Sequence, residues 1–280
     1  MNWRGLVAVL AALLLSACSA IQVGYRNADT FLRWQANSYF DFEGEQSAEL
    51  EGRIASFLAW HRSSALPRYR AILEEAAART GRGLAREDLQ WGYDAVRAQI
   101  DEALRAAAAE AAPLLDRLPA GKITHLERRL AEDNRKFARR FLAGTSEERR
   151  ERRLKRNLER LEDWLGGLTD AQVARVRQYA NRTPLSAELR DRDRKRRQAE
   201  FVTMLRKREA GRRLSDWSVE WERSRAPEHA AATREQLAAY FDLLLELDRM
   251  LSPEQRAHAV NRLRFYADSA RVLARAPERK

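Results

Sequence analysis

Apolar residues recur at intervals of three and four along most of the chain. Such intervals place apolar side chains on one face of an α-helix. The pattern predicts an all-α fold of about eight to ten helices packed as antiparallel hairpins, and leaves open whether the bundle is elongated or curved. The clearest stripes cover residues 50–61, 89–104, 123–141, 154–165 and 237–247.

Turn-forming residues are scarce, with 12 Gly and 7 Pro among 280 residues. Charged residues make up 33% of the chain and hydrophobic residues 45%, a balance typical of long helices. This composition excludes an all-β or collagen-like protein. A chain of this length can bury a core without disulfides, and it holds one cysteine.

The densest aromatic group lies between residues 31 and 42, partly at helical spacing. Large aromatic side chains are mostly buried, so we expect this group to belong to the core rather than to a ligand site. Its members are Phe31, Trp34, Tyr39, Phe40 and Phe42.

The first eighteen residues are typical of a signal peptide, with Arg4 before an apolar run over 5–15. That run is shorter than the roughly 20 residues that a membrane-spanning helix needs. The following Leu15-Ser16-Ala17-Cys18 resembles a bacterial lipobox. The resemblance implies that residues 1–17 are removed and that Cys18 carries lipid, with palmitate among the acyl chains. A free or buried cysteine after an ordinary signal peptide is the alternative.

Ser19 follows the lipobox cysteine, where an Asp in similar lipoproteins favours the inner membrane. The resemblance therefore implies the outer membrane, with the protein facing the periplasm. We expect a lipidated tether over 18–30, a helical domain over 31–275 and a frayed tail over 276–280. A soft seam is expected inside the helical domain near Gly166-Gly167.

The chain carries a net charge of +11, and much of it lies in two runs, 149–156 and 190–197. The i,i+4 pairs Glu148/Arg152 and Glu151/Lys155 favour a solvated helix face for the first run. The alternative is a surface that captures polyanions or protein clients. The candidates for capture are Arg149, Arg150, Arg152, Arg153, Arg156, Arg194, Arg196 and Arg197.

Two segments share the pattern L-[ST]-x-x-Q, in which the hydroxyl caps a helix and the Gln bonds back to the cap residue. Looser echoes begin at Phe42, Leu84 and Leu118, and each copy is expected to begin a helix. The capping residues of the two full copies are Thr169 and Gln172, and Ser252 and Gln255.

The repeated motif resembles the L-T-x-x-Q signature of Spy/CpxP-type periplasmic proteins, which are helical, cradle-shaped and in the best-known case chaperones. A capping box of a helical protein is the alternative interpretation. A wider resemblance, to a family of uncharacterised proteobacterial lipoproteins, implies location and helical architecture only. It rests on residues 27–29, 57–62, 66–69, 125–129, 131–136 and 159–165.

Local motifs of catalysis are missing from the sequence. The four histidines, His61, His125, His229 and His258, lack the spacing of a helical zinc site, and no nucleophile elbow or phosphate-binding Gly-rich loop is present. We expect a protein that is not an enzyme and has no cofactor or metal beyond the lipid on Cys18. A site assembled from distant residues would leave no such motif.

The leading functional hypothesis is a lipid-anchored envelope protein that binds unfolded or envelope proteins through a basic amphipathic surface. The alternative is a scaffolding lipoprotein that binds lipopolysaccharide, cell-wall polymer, anionic lipid or an envelope complex. Nucleic acid is not expected as a partner, because the signal peptide directs the chain out of the cytoplasm.

Substitution of the lipobox cysteine tests the anchor. Cys18→Ser should leave the protein unprocessed or soluble, because the thiol that accepts the lipid is gone. Membrane fractionation measures this, and unchanged fractionation of the variant would refute the anchor.

Overall fold

A computed structural model describes residues 21–275, so the expected signal peptide, Cys18 and the tail over 276–280 lie outside the described residues. Eleven complete helices lie within this range, which contains no β-strand and confirms the all-α fold. The helices are α1 (Ala28–Phe40), α2 (Gly44–Trp60), α3 (Leu66–Arg82), α4 (Arg86–Leu115), α5 (Ala120–Phe141), α6 (Ser146–Leu165), α7 (Asp170–Arg182), α8 (Ala187–Arg206), α9 (Ala210–Val219), α10 (Pro227–Arg249) and α11 (Pro253–Arg275).

This count exceeds the predicted range by one. Residues 207–209 separate α8 from the ten-residue α9, and Arg208 there has a φ of +54°. The tether expected over 18–30 is helical over residues 21–26, before α1 begins. None of the described helices combines the length and the apolar character needed to cross a membrane.

A π-helical segment, His61–Ala65, joins α2 to α3 without a break. Pro67 follows at the second position of α3. In a regular α-helix its ring would clash with the carbonyl four residues earlier, on Ser63. The wider turn of a π-helix relieves such crowding, which explains why the chain continues through the proline.

The buried core consists of three clusters. The first joins α1, α2, α4, α5, α8 and α9, the second joins α6, α7 and α10, and the third joins α3 and α11. In the second cluster Leu154 and Leu161 pack with Val176 and Leu247, which confirms the predicted leucine seam of α6. The first cluster draws on helices from both sides of Gly166-Gly167, so this turn does not divide the core.

The aromatic prediction is correct for three residues and wrong for two. Phe42 is buried, and Tyr39 and Phe40 pack against the first cluster. Phe31 and Trp34 are 59% and 63% exposed. The reason is helical geometry, because the packed face of α1 carries Ala36, Tyr39 and Phe40, and the two exposed rings point away from it.

Each of the five L-[ST]-x-x-Q copies and echoes precedes a helix, as expected. The copies beginning at Phe42, Leu84 and Leu118 precede α2, α4 and α5. In the second of these, Asp88 accepts the Ala85 N–H at 2.9 Å, although Ala85 has no oxygen with which to reciprocate.

The two full copies form complete capping boxes at α7 and α11. Thr169 Oγ1 accepts the Gln172 N–H at 3.3 Å, and Gln172 Oε1 accepts the Thr169 N–H at 3.0 Å. Ser252 and Gln255 make the same two bonds, both at 3.2 Å. A capping box satisfies backbone donors that the helix itself leaves unpaired.

The two boxes also bond to each other. Gln172 Nε2 donates to Gln255 Oε1 at 2.9 Å, and Gln255 Nε2 donates to Gln172 Oε1 at 3.0 Å. Each amide donates its other proton to the carbonyl two residues before the opposite cap residue, on Met250 and Gly167. Gln172 is completely buried, and both amides thereby make all four of their hydrogen bonds. We call this arrangement the glutamine pair.

Removal of either glutamine should destabilise the fold. Gln172→Ala or Gln255→Ala leaves buried donors and acceptors unpaired, which costs about 1–3 kcal/mol of unfolding free energy. The double variant should lose less than the sum of the two, because the substitutions remove shared bonds.

Urea unfolding measures these free energies. Gln178→Ala on α7 is the matched control, since Gln178 bonds only with nearby Arg175 at an exposed position, and it should change stability by less than about 0.5 kcal/mol. Strict additivity of the two glutamine substitutions would contradict the coupling.

Candidate functional site

The arginine pocket is a cavity of about 380 Å³ between the end of α5, the length of α6 and the start of α8. No Asp or Glu side chain lines it. Seven arginines do: Arg140, Arg149, Arg152, Arg153, Arg156, Arg160 and Arg190.

The helical repeat of α6 explains why its arginines converge. Arg149, Arg153, Arg156 and Arg160 follow one another at intervals of four, three and four, which places them on one face. The leucine seam of α6 packs against α7 and α10, and this packing fixes the direction in which the arginine face points.

Three of the pocket arginines are tied to the protein itself. Arg153 donates to the carbonyls of Thr183 at 2.5 Å, Pro184 at 3.1 Å and Ala180, at the end of α7. Helix C-terminal carbonyls carry partial negative charge, so a cation stabilises them. Arg149 forms an ion pair with Glu188, and Arg152 donates to the Ala143 carbonyl; these contacts hold the walls of the pocket.

The two predicted i,i+4 ion pairs of this run are not formed. Glu148 Oε2 instead accepts the Thr145 N–H at 2.8 Å, in the capping box predicted for α6. Glu151 lies 3.6 Å from Arg177 on α7. A local capping bond thus replaces the first pair, and a tertiary partner on α7 replaces the second.

Three other arginines surround the ring of Phe141. The guanidinium carbons of Arg140, Arg156 and Arg190 lie 5.2, 5.6 and 4.7 Å from the ring centroid. Such cation–π contacts are favourable but leave the positive charge in place. Among the described residues, no carboxylate oxygen lies within 4 Å of these three guanidinium groups.

The electrostatics of the pocket follow from this crowding. Burial lowers the pKa of Arg156, and the neighbouring Arg140, Arg152 and Arg160 lower it further. Burial likewise lowers the pKa of Arg190, with Arg156 adding to the effect. Arginine still remains charged at neutral pH, so the pocket holds positive charge that the protein does not neutralise.

The second basic run lies beside the first. A tryptophan cavity of about 510 Å³, named for Trp217 and Trp221, is lined by Arg194 and Arg197. It shares Ser186, Arg190 and Gln236 with the arginine pocket.

Internal contacts also hold the arginines of this second run. Arg197 donates to the Trp217 carbonyl at 2.8 Å, and Arg194 lies 4.6 Å from the Phe137 ring. Arg196 pairs with Asp193 at 2.6 Å and lines neither cavity.

The sequence-predicted arginines therefore fall into three sets. Arg149, Arg152, Arg153 and Arg156 line the arginine pocket, Arg194 and Arg197 line the tryptophan cavity, and Arg150 and Arg196 line neither. All eight are half-buried, whereas Glu151 and Lys155 of the first run are exposed, so α6 has a solvated charged side beside its arginine side. Different parts of the chain cover the two runs, the end of α7 over Arg153 and the segment around Trp217 over Arg197.

Sequence reasoning missed Arg140, Arg160, Arg190 and Phe141 as members of the site. Arg160 continues the spacing of Arg153 and Arg156, which was a usable signal. The approach of Arg140 and Arg190 from other helices had no local signal.

The apolar groove is a third cavity, of about 570 Å³, between α4, α6, α10 and α11. Val96 and Ile100 of α4 line it and are 53% and 44% exposed. Trp164 of α6 and Phe241 of α10 also line it.

Charged groups at the edge of the apolar groove have partners. Asp88 accepts from Arg79 at 2.8 Å, and Arg97 pairs with Glu222 at 2.5 Å. Asp248 accepts from Arg256 at 2.8 Å and from the Leu84 N–H at 3.1 Å.

Side chains suited to metal binding are dispersed. Within residues 21–275 no group of three or more His, Cys, Asp or Glu residues could hold a metal ion. His229 is buried with its Nδ1 3.6 Å from Asp193 Oδ2, and burial lowers the pKa of this imidazole despite the carboxylate.

We expect substitutions of the arginines that bond to the protein to lower stability, and substitutions of the arginines that surround Phe141 not to lower it. Arg153→Gln should lower the unfolding free energy by about 1–3 kcal/mol, because it leaves the α7 carbonyls without their donor. Arg156→Gln combined with Arg190→Gln should leave stability unchanged or raise it, because the double substitution relieves repulsion between like charges.

Urea unfolding in low salt measures both effects. Arg177→Gln, at an exposed ion pair of α7, is the control and should change the free energy by less than about 1 kcal/mol. If the double variant lost as much stability as Arg153→Gln, the distinction between stabilising and mutually repelling arginines would be wrong.

Comparison with known families places the chain. A family model described as "Family of unknown function (DUF6279)" matches residues 38–229, which is 192 of the 280 residues and includes both basic runs. No curated protein and no solved structure matches the chain. With most of its length matched, including the helices that form the arginine pocket, the chain belongs to the DUF6279 family of unknown function.

Proposed function

We propose that the protein is a non-enzymatic envelope protein that binds a phosphate-bearing anion in the arginine pocket. The observation that carries the proposal is the lining of seven arginines with no carboxylate among them. Guanidinium groups match phosphate oxygens in bidentate geometry, and such charge-assisted bonds are stronger than neutral ones.

The crowded arginines supply the binding energy in this proposal. Arg140, Arg156 and Arg190 repel one another around Phe141, and an anion between them would replace repulsion with attraction. Arg156 is also partly buried, and a partly buried charge is screened less than an exposed one. Arg153 and Arg149 act as supports, since both are already bonded to the protein.

Location supports the same class of ligand. The signal peptide and the lipobox at Cys18 favour an outer-membrane lipoprotein that faces the periplasm. Phosphate groups occur there on lipids and on lipopolysaccharide. A phosphate-bearing ligand fits a scaffolding lipoprotein, and its binding needs no metal or cofactor.

Pyrophosphate binding tests the pocket directly. Residues 19–280 should bind pyrophosphate in isothermal titration calorimetry, and Arg156→Gln with Arg190→Gln should weaken binding by at least about tenfold, equal to about 1.4 kcal/mol. The physical reason is the loss of two cations that have no carboxylate partner.

A control with the same change in net charge is available on α5. Arg128→Gln with Arg135→Gln removes two exposed arginines that line none of the three cavities, and it should leave pyrophosphate affinity within about twofold. If both double variants weakened pyrophosphate binding equally, net charge alone would explain the loss. The arginine pocket would then be excluded as the binding site.

Client binding is the second candidate, and the exposed side chains of the apolar groove favour it. The measurement is suppression of aggregation of a reduced client by residues 19–280 in low salt and in about 1 M salt, where the screening length falls to about 3 Å. Capture through arginines alone predicts suppression that disappears in high salt. Persistent suppression would favour client binding through apolar contacts, and no suppression in either salt would exclude it.

A further inference from the structure

The apolar groove and the arginine pocket meet at Arg160. This residue lines both cavities, near the end of α6. Tyr179 of the pocket and Tyr240 of the groove are also in contact, with tilted rings whose centroids lie 5.9 Å apart. The helix thus turns arginines into the pocket as far as Arg160 and apolar side chains such as Trp164 into the groove beyond it.

Charge is distributed unequally between the two cavities. The charged groups Asp88, Arg97 and Asp248 at the groove all have partners of opposite charge. In the pocket, Arg156 and Arg190 have no carboxylate partner among the described residues. Positive charge without a carboxylate partner therefore lies in the cavity next to a mostly apolar one, and Arg160 lines both.

The dimensions suit a ligand of moderate size. Cavities of about 380 and 570 Å³ each fall within the range of about 300–1,000 Å³ typical of ligand sites. The exposed Val96 and Ile100 are apolar surface that a bound chain would cover.

We propose that one anionic lipid molecule binds across both cavities, with its phosphate among the arginines and an acyl chain in the apolar groove. The inference rests on the proposed function, because it gives the phosphate-bearing ligand of the arginine pocket an apolar tail. Complementarity carries it, since an arginine-lined cavity without a carboxylate adjoins an apolar cavity at Arg160.

The inference can be tested with three ligands, one that has both a phosphate and an acyl chain and two that each lack one of them. Lysophosphatidic acid with a myristoyl chain has both parts, glycerol 3-phosphate lacks the chain, and monomyristoylglycerol lacks the phosphate. Residues 19–280, which contain all eleven helices, are titrated with each below the concentration at which it forms micelles. Lysophosphatidic acid should bind at least about tenfold more tightly than either fragment, because it fills both cavities.

A substitution that fills the groove gives an independent readout. Gly92 lines the groove on α4, and a Cβ there would meet no heavy atom within 4 Å. Gly92→Phe should lower affinity for lysophosphatidic acid to that for glycerol 3-phosphate and leave pyrophosphate binding unchanged. Gly52→Phe is the matched control, since Gly52 on α2 is equally open and lies outside the groove.

Each contrary outcome has a separate meaning. Lysophosphatidic acid that binds no more tightly than glycerol 3-phosphate would overturn the lipid inference and leave the anion site intact. Monomyristoylglycerol that binds as tightly as lysophosphatidic acid would also overturn the lipid inference, and pyrophosphate binding unchanged in the Arg156→Gln/Arg190→Gln variant would overturn the proposed function as well. Aggregation suppression that Gly92→Phe abolishes and lysophosphatidic acid does not displace would assign the groove to protein clients.

Discussion

The glutamine pair fixes the position of α6, and the candidate site depends on that position. Gln172 and Gln255 join the turn after α6 to the turn after α10, with every amide donor and acceptor satisfied. Hydrogen bonds in a buried network are directional, and they lose much of their value when the partners shift. The pair therefore anchors the end of α6, and the packing of its leucine seam then sets the face that carries the arginines.

The arginines of the arginine pocket affect the stability of the fold in two opposite ways. Arg153 stabilises the end of α7, whereas Arg156 and Arg190 repel each other and their neighbours. A fold selected for stability alone would place a carboxylate between such groups, as it does for Arg149 and Glu188. Uncompensated charge at a half-buried site is a common property of binding sites, where function opposes stability.

The sequence contained most of the fold but only part of the site. Helix boundaries followed from capping residues such as Thr145, Thr169 and Ser252, because capping is a local interaction. The burial of Phe31 and Trp34 was mispredicted, because periodicity identifies a face and not the neighbour that covers it. The partners of Glu148 and Arg152 were mispredicted for a similar reason, since backbone groups of a turn competed with the i,i+4 pair. Arg140, Arg156 and Arg190 lie on three different helices. Their proximity therefore could not be predicted from residue spacing within any one segment.

The π-helical segment His61–Ala65 allows the continuous helix formed by α2 and α3 to pack against two of the core clusters. Its extra residue rotates the following helix by about 100° relative to a regular α-helix, since each residue turns the chain by that angle. Before the segment, Leu50 and Ile54 face the first cluster; after it, Leu66 and Tyr69 face the third. Deleting one residue there would bring the two faces back into phase. The continuous helix could then pack against only one of the two clusters. The length of this segment therefore sets the rotational register between the first and the third cluster.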